Sequence, residues 1–190
     1  MWKGPKIYPQ DVIFKYFFNP IFPKFVRPNH LTVLRFLMTP FVVWLIVAEN
    51  YQWGIPLFIL ASFTDMLDGS MARIRNQITD WGKLYDPVAD KLLIGSLVFI
   101  IVLQHLSFYL AFVIITIEAV FIIGAWRRHK RGIKFQAEIW GKLKMFSQFL
   151  GILFLLFGLL WNMDSLFSIS ADILYLAIVF AIVSLFSHGI

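Results

Sequence analysis

The sequence predicts an all-α integral membrane protein: six transmembrane helices with an N-terminal interfacial amphipathic helix. Three observations carry this reading. Hydrophobic residues make up 59% of the 190 positions and aromatics 18%, with a positive mean hydropathy, which is too apolar for one soluble core of this size. The apolar residues gather into stretches close to the roughly 20 residues that a helix needs to cross a bilayer. The 17 Lys and Arg residues concentrate in alternate connections, the charge asymmetry of a polytopic chain.

Residues 1–30 read as an interfacial segment and residues 31–190 as a six-helix bundle, together one membrane domain of residues 1–190. The first segment holds Pro5, Pro9, Pro20, Pro23 and Pro28 without a continuous apolar core, so it does not read as a signal peptide. Between Asp11 and Phe18, Lys15 is interleaved with Phe14, Tyr16, Phe17 and Phe18, and Phe22 and Phe25 follow, a composition that suits a short helix lying in the interface. Spanning helices are expected at about 31–48, 54–73, 83–104, 107–126, 143–163 and 168–187. The second and third reach full length only if their charged ends are helical, which puts the acids there at or inside the membrane boundary.

Basic residues fall before or near the start of the first helix, between the second and third, and between the fourth and fifth. The connections at Glu49–Trp53, Gln104–His105 and Asn162–Ser165 have none. The positive-inside rule turns the basic side to the cytoplasm, and six helices return the C-terminus there. The expected location is a bacterial cell (inner) membrane with the active site facing the cytoplasm. The basic surface also suits anionic membrane lipids, and no nucleic acid is expected as a partner. Cysteine is absent, which excludes a disulfide framework and thiolate metal sites.

Two close pairs of aspartates stand out against this apolar background. Asp65 and Asp68 are three apart and share one helix face, and Asp86 and Asp90 are four apart and share a face of the next helix. An acid inside a membrane helix costs a few kcal/mol on insertion scales and marks function by default. The two helices are joined by a polar loop near Arg75 to Asp80, so the acidic faces are expected to meet near the cytoplasmic end. Gly69 and Gly82 open side-chain-free patches beside them. Oxygen donors of this kind suit Mg²⁺ or Mn²⁺, and clustered carboxylates hold two ions about 4 Å apart in phosphoryl-transfer sites. Arg73 is placed to steady a phosphate. Each residue also has a structural reading: Asp86 before Pro87 as a helix N-cap, Arg73 as a positive-inside residue, and Asp80 as a solvated loop residue. Those readings do not account for the whole group together.

The block resembles the signature of the CDP-alcohol phosphotransferases, Asp-x2-Asp-Gly-x2-Ala-Arg followed by Gly-x3-Asp-x3-Asp. It stands complete as Asp65, Asp68, Gly69, Ala72, Arg73, Gly82, Asp86 and Asp90, with eight residues between Arg73 and Gly82. Arg27-Pro28-Asn29-His30-Leu31-Thr32 is similar to the segment that opens the first helix in many members, and the hydropathy agrees over nearly the whole chain. The resemblance implies a membrane-embedded homodimer that binds CDP-diacylglycerol and one or two Mg²⁺ or Mn²⁺ ions. Asp65, Asp68 and Asp86 would be metal ligands, with Asp90 near the metals and acting as general base. Gly69, Ala72 and Gly82 would line the cytidine pocket and Arg73 would meet phosphate.

The acceptor is read from subfamily features. Asp86-Pro87-Val88-Ala89-Asp90-Lys91 is similar to the form found in phosphatidylglycerophosphate synthases, which points to glycerol 3-phosphate. Gly141-Lys142-Leu143-Lys144 with Gln148 is similar to a segment of the same synthases, although Met145 replaces their Thr. Glu118 lacks the Arg that commonly precedes it. Lys142 and Lys144, with Arg127 and Arg128 as secondary candidates, are expected to bind the acceptor phosphate. They belong to a basic cluster that also includes Lys130, Arg131 and Lys134. Inositol phosphate, serine or another polar alcohol are the alternative acceptors. A non-catalytic metal transporter is the alternative of another class, but the remaining helices supply only Glu118 as a clearly intramembrane acid, a poorly furnished ion path.

Overall fold

The computed structural model describes residues 11–12, 14–19, 22–23, 25–130 and 139–187. Pro5, Pro9, Pro20, Arg131 and Lys134 lie outside the described residues. Among those described, every regular element is helical. The six principal helices are α1 (Pro28–Val47), α2 (Tyr51–Ile74), α3 (Asp80–Leu97), α4 (Phe108–Lys130), α5 (Ile139–Trp161) and α6 (Asp164–Ser187). A π-helical stretch at Val98–Val102 and a last turn at Leu103–His105 extend α3. Helices α1, α2, α5 and α6 are long and apolar enough to cross a membrane, which makes the chain an integral membrane protein. In α4 the apolar stretch, Phe108–Gly124, is shorter.

The helix ends correct two expectations. Asp80 is the first residue of α3 rather than part of a loop, where its carboxylate favours the positive end of the helix dipole. Asp86 is not an N-cap, because Pro87 lies inside α3. The capping is done upstream by Thr79, whose hydroxyl oxygen accepts the Gly82 N–H at 2.9 Å. Pro28, by contrast, opens α1 at a position where its missing N–H costs nothing.

The chain forms two compact units, Met1–Leu93 and Ile94–Ile190. In the first, the described part of the N-terminal segment packs on the protein through Phe14. Phe14 is 2% exposed and packs with Leu31, Leu67 and Met71, flanked by Phe18, Phe22, Val26, Phe63 and Ile74. Tyr16 and Phe17 on the same π-helical turn (Phe14–Phe18) remain exposed, so only the Phe14 side of the turn is docked on protein. Arg75, expected in a polar loop, fastens this segment. Its guanidinium donates to Asn19 Oδ1 at 2.8 Å and to the carbonyls of Phe22 and Val26 at 2.8 and 2.9 Å. One side chain thereby satisfies backbone acceptors that no helix ladder reaches.

In the second unit, α5 and α6 pack through small residues. A Cβ built on Gly151 would fall 2.7 Å from Cγ and Cδ2 of Leu174, and the Ser170 hydroxyl donates to the Gly151 carbonyl at 2.7 Å. Close backbone approach of this kind is how membrane helices gain van der Waals contact without a hydrophobic driving force. Gly151→Val should therefore push α5 and α6 apart and cost about 1–3 kcal/mol. Thermal unfolding in detergent measures it, and an unchanged midpoint would show that the helices approach less closely than described.

Candidate active site

Asn29, Thr32 and Arg35 are spaced three apart and so share one face of α1. Arg35 is fully buried two turns into the helix. Its Nη1 donates to Asp65 Oδ1 at 2.8 Å, its Nη2 to Asp68 Oδ2 at 2.6 Å, and its Nε to the Thr64 hydroxyl at 3.3 Å. Thr64 in turn donates to the Ala61 carbonyl. The planar fork of arginine suits this double engagement, whereas a lysine ammonium would meet one carboxylate as a point charge. Thr32 lies one turn earlier on the same face. Its hydroxyl donates to Asp86 Oδ1 at 2.5 Å and lies 3.5 Å from Asp68 Oδ2. Asp65, Asp68 and Asp86, from two helices, are thus linked through a third.

The degree of burial separates the carboxylates. Asp68 is 2% exposed and Asp90 is also buried, whereas the Asp65 side chain is 40% accessible and Asp86 is half-buried. Asp90 follows Asp86 by one turn of α3. Next to them lies a cleft of about 180 Å³ that Gly69, Ala72, Arg73, Gly82 and Asp86 all line. The four residues expected to receive the CDP-lipid therefore share one concavity with an acid of the motif. Gly82 is there because nothing larger fits without displacement: a Cβ would stand 3.1 Å from Thr79 Oγ1, 3.2 Å from Asp86 Oδ2 and 3.3 Å from Asn29 Oδ1. Arg73 folds back over Gly69 and is held by Asp11, with Nε and Nη2 donating to the two carboxylate oxygens at 2.8 and 2.7 Å.

The donor set suits a hard divalent cation, since it offers carboxylate and hydroxyl oxygens and no sulfur or nitrogen ligand. Arg35 draws Asp65 and Asp68 into a pair, and Thr32 holds Asp86 with its hydroxyl 3.5 Å from Asp68. Among the described residues, no three acid, histidine or cysteine side chains close around a single point as they lie. In donor chemistry the residues fit Mg²⁺ or Mn²⁺.

The residues expected to meet the acceptor phosphate belong to the second unit. Lys144 is buried, its ammonium 2.5 Å from Glu118 Oε1 and 4.2 Å from the Phe121 ring centre. Gln148 Nε2 donates to the same Glu118 oxygen at 2.9 Å. Glu118, read from sequence as an isolated intramembrane acid, is therefore neutralised locally. Lys142 is exposed at the start of α5, and Arg127 and Arg128 lie near the end of α4.

Sequence reasoning missed Arg35, Asp11 and Arg75, and gave Thr32 no role. An arginine inside an apolar helix was itself the available signal for Arg35. Asp11 and Arg75 offered none, because their partners lie about fifty or sixty residues away.

A family model described as CDP-alcohol phosphatidyltransferase matches residues 25–184. A Haemophilus influenzae protein named CDP-diacylglycerol–glycerol-3-phosphate 3-phosphatidyltransferase is 34% identical over 174 residues, covering 87% of this chain and 92% of that protein. A Bacillus subtilis protein of the same name is 32% identical over 182 residues, covering 84% and 91%. A third of that name, from Rickettsia typhi, is 45% identical over 71 residues, a match that spans 36% of this chain and 40% of that protein.

Removing the Arg35 guanidinium would leave Asp68 as an uncompensated buried charge. Arg35→Met should lower stability by about 3 kcal/mol, and Asp68→Asn added to it should restore part of the loss. Unfolding of the single and double variants in detergent tests this. An additive second loss would mean that the two side chains do not depend on each other.

Proposed function

The chain belongs to the CDP-alcohol phosphatidyltransferase family, and from that premise we propose that it moves a phosphatidyl group from CDP-diacylglycerol to glycerol 3-phosphate, forming phosphatidylglycerophosphate and CMP. The observation that carries the reading is likeness over almost the full length to relatives named for that reaction. The acceptor hydroxyl oxygen attacks the lipid-side phosphorus, the phosphorus–oxygen bond to CMP breaks, and Asp90 takes the hydroxyl proton. Asp65, Asp68, Asp86 and Asp90 would hold Mg²⁺ or Mn²⁺, two ions in our reading, whose charge offsets that of the diphosphate.

The chain's own residues set the rest of the chemistry. Arg35 and Thr32 hold the acids of α2 and α3 side by side, through hydrogen bonds to Asp65, Asp68 and Asp86. Gly69, Ala72 and Gly82 leave room for the nucleotide, and Arg73 meets phosphate at the cleft. Lys142, Lys144, Arg127 and Arg128 are retained as acceptor-phosphate candidates on the sequence resemblance. We read α3 and α4 as completing six spans with the four long apolar helices, in a homodimer of the bacterial inner membrane with its site on the cytoplasmic side.

CMP release by the purified protein, with CDP-diacylglycerol and a panel of glycerol 3-phosphate, serine, inositol and inositol phosphate, tests the assignment. Glycerol 3-phosphate should be preferred at least about tenfold, a difference of about 1.4 kcal/mol in the transition state. Preference for another acceptor would overturn that part while leaving the family in place. Asp90→Asn should abolish transfer and leave CDP-lipid binding within about tenfold, whereas Asp65→Asn should weaken both. Substantial turnover by Asp90→Asn would remove it as the base. Chelation should stop the reaction, with Mg²⁺ or Mn²⁺ restoring it and Ca²⁺ doing so poorly. Full activity of metal-stripped protein would count against the metal.

A further inference from the structure

The pairing of Arg73 with Asp11 is not required by the reaction, and it joins the cleft to a part of the chain outside the family motif. Asp11 is fully buried and presents both oxygens to Nε and Nη2 of Arg73, the fork-to-fork geometry that fixes a guanidinium in plane as well as in place. A carboxylate withdrawn this far from water is a poor source of net stability, since its desolvation offsets much of the attraction. What it supplies is orientation. The Nη1 of Arg73 lies 3.3 Å from where a Gly69 Cβ would stand, the nearest atom to that glycine, and Arg73 and Gly69 both line the cleft.

Asp11 is itself rigidly mounted. Phe14, one helical turn later, is sunk in the core with Leu67 and Met71 of α2, and Arg75 clamps the segment farther along at Asn19, Phe22 and Val26. The post and the residue it steadies are thus fastened to the same helix on both sides of Arg73.

We propose that Asp11 is a positioning residue for the nucleotide-lipid substrate: it occupies one edge of the Arg73 guanidinium and holds the other edge over Gly69, toward the diphosphate. This rests on the transferase reading and concerns only the CDP-lipid half of the site. A side chain ordered in advance loses less freedom on binding, so the effect belongs in substrate affinity rather than in the chemical step.

The test is direct binding of CDP-diacylglycerol, together with initial rates of CMP release, for the full-length protein and its Asp11 and Arg73 variants. Asp11→Asn turns an amide N–H toward the guanidinium and should raise both Kd and KM for the CDP-lipid about tenfold, with kcat and the acceptor KM within about threefold. Asp11→Glu keeps the charge but displaces the guanidinium, and should raise the same two constants about threefold. It carries the test should the Asn variant not fold. In an Arg73→Ala background the Asp11 substitutions should add nothing to the loss of CDP-lipid affinity, because the proposal has Asp11 affect that affinity through Arg73. Unchanged CDP-lipid affinity overturns the proposal, as does an equal loss in the Arg73→Ala background, which would mark a merely structural segment. Tighter binding by Asp11→Asn also overturns it, by making Asp11 a competitor of phosphate. A protein that binds CDP-diacylglycerol normally but prefers another acceptor refutes the acceptor assignment and leaves this inference standing. One that binds no CDP-lipid at all refutes both.

Discussion

Carboxylates cannot be gathered inside an apolar helical bundle unless something meets their charge, and in this protein the first answer is Arg35. Its guanidinium spans Asp65 and Asp68 while Thr32, one turn away, reaches Asp86. The ionic part of the site is therefore written on a helix that carries none of the motif acids. Without a cation on that face, Asp68 would sit in a medium where an isolated charge is too costly to keep. With it, the acids of α2 and α3 hold one arrangement before any ligand arrives.

The same logic extends outward to the N-terminal segment, where arginines again meet acceptors that the chain itself provides. Arg75 takes up carbonyls of a stretch with no ladder of its own, and Arg73 takes up Asp11. Arg73 and Arg75 lie two apart at the end of one helix, yet they reach different stretches of the segment, Asp11 for the one and Asn19, Phe22 and Val26 for the other. The second unit repeats the pattern on a smaller scale, with Glu118 held by Lys144 and Gln148. Much of the polar content of this apolar protein is thus spent on itself, and charge near the helix ends is not only a topology signal.

The helical class, the long apolar helices and the motif residues were legible in the sequence, because each is a local pattern: an apolar run, or acids and glycines repeating at helical spacing. The convergence of Gly69, Ala72, Arg73 and Gly82 on one cleft follows from the same periodicity. Asp86 was open to a capping reading because Asp before Pro looks the same whether a helix begins there or one turn and more upstream; only Thr79 bonding to Gly82 decides it. Arg35 was counted among topology charges since it lies near the start of a span. Asp11 carried no signal at all, as no spacing rule connects an acid in a proline-rich segment to an arginine more than sixty positions later.

The docked segment also fixes an order of assembly. Residues 11–26 are made before the groups that secure them, since Phe63 to Arg75 exist only when α2 is nearly complete. Until then Phe14 lacks Leu67 and Met71, and Asp11 lacks Arg73. The burial of Phe14 against α2 and the pairing of Asp11 with Arg73 can therefore be completed only once the helix that carries the first acid pair has been made.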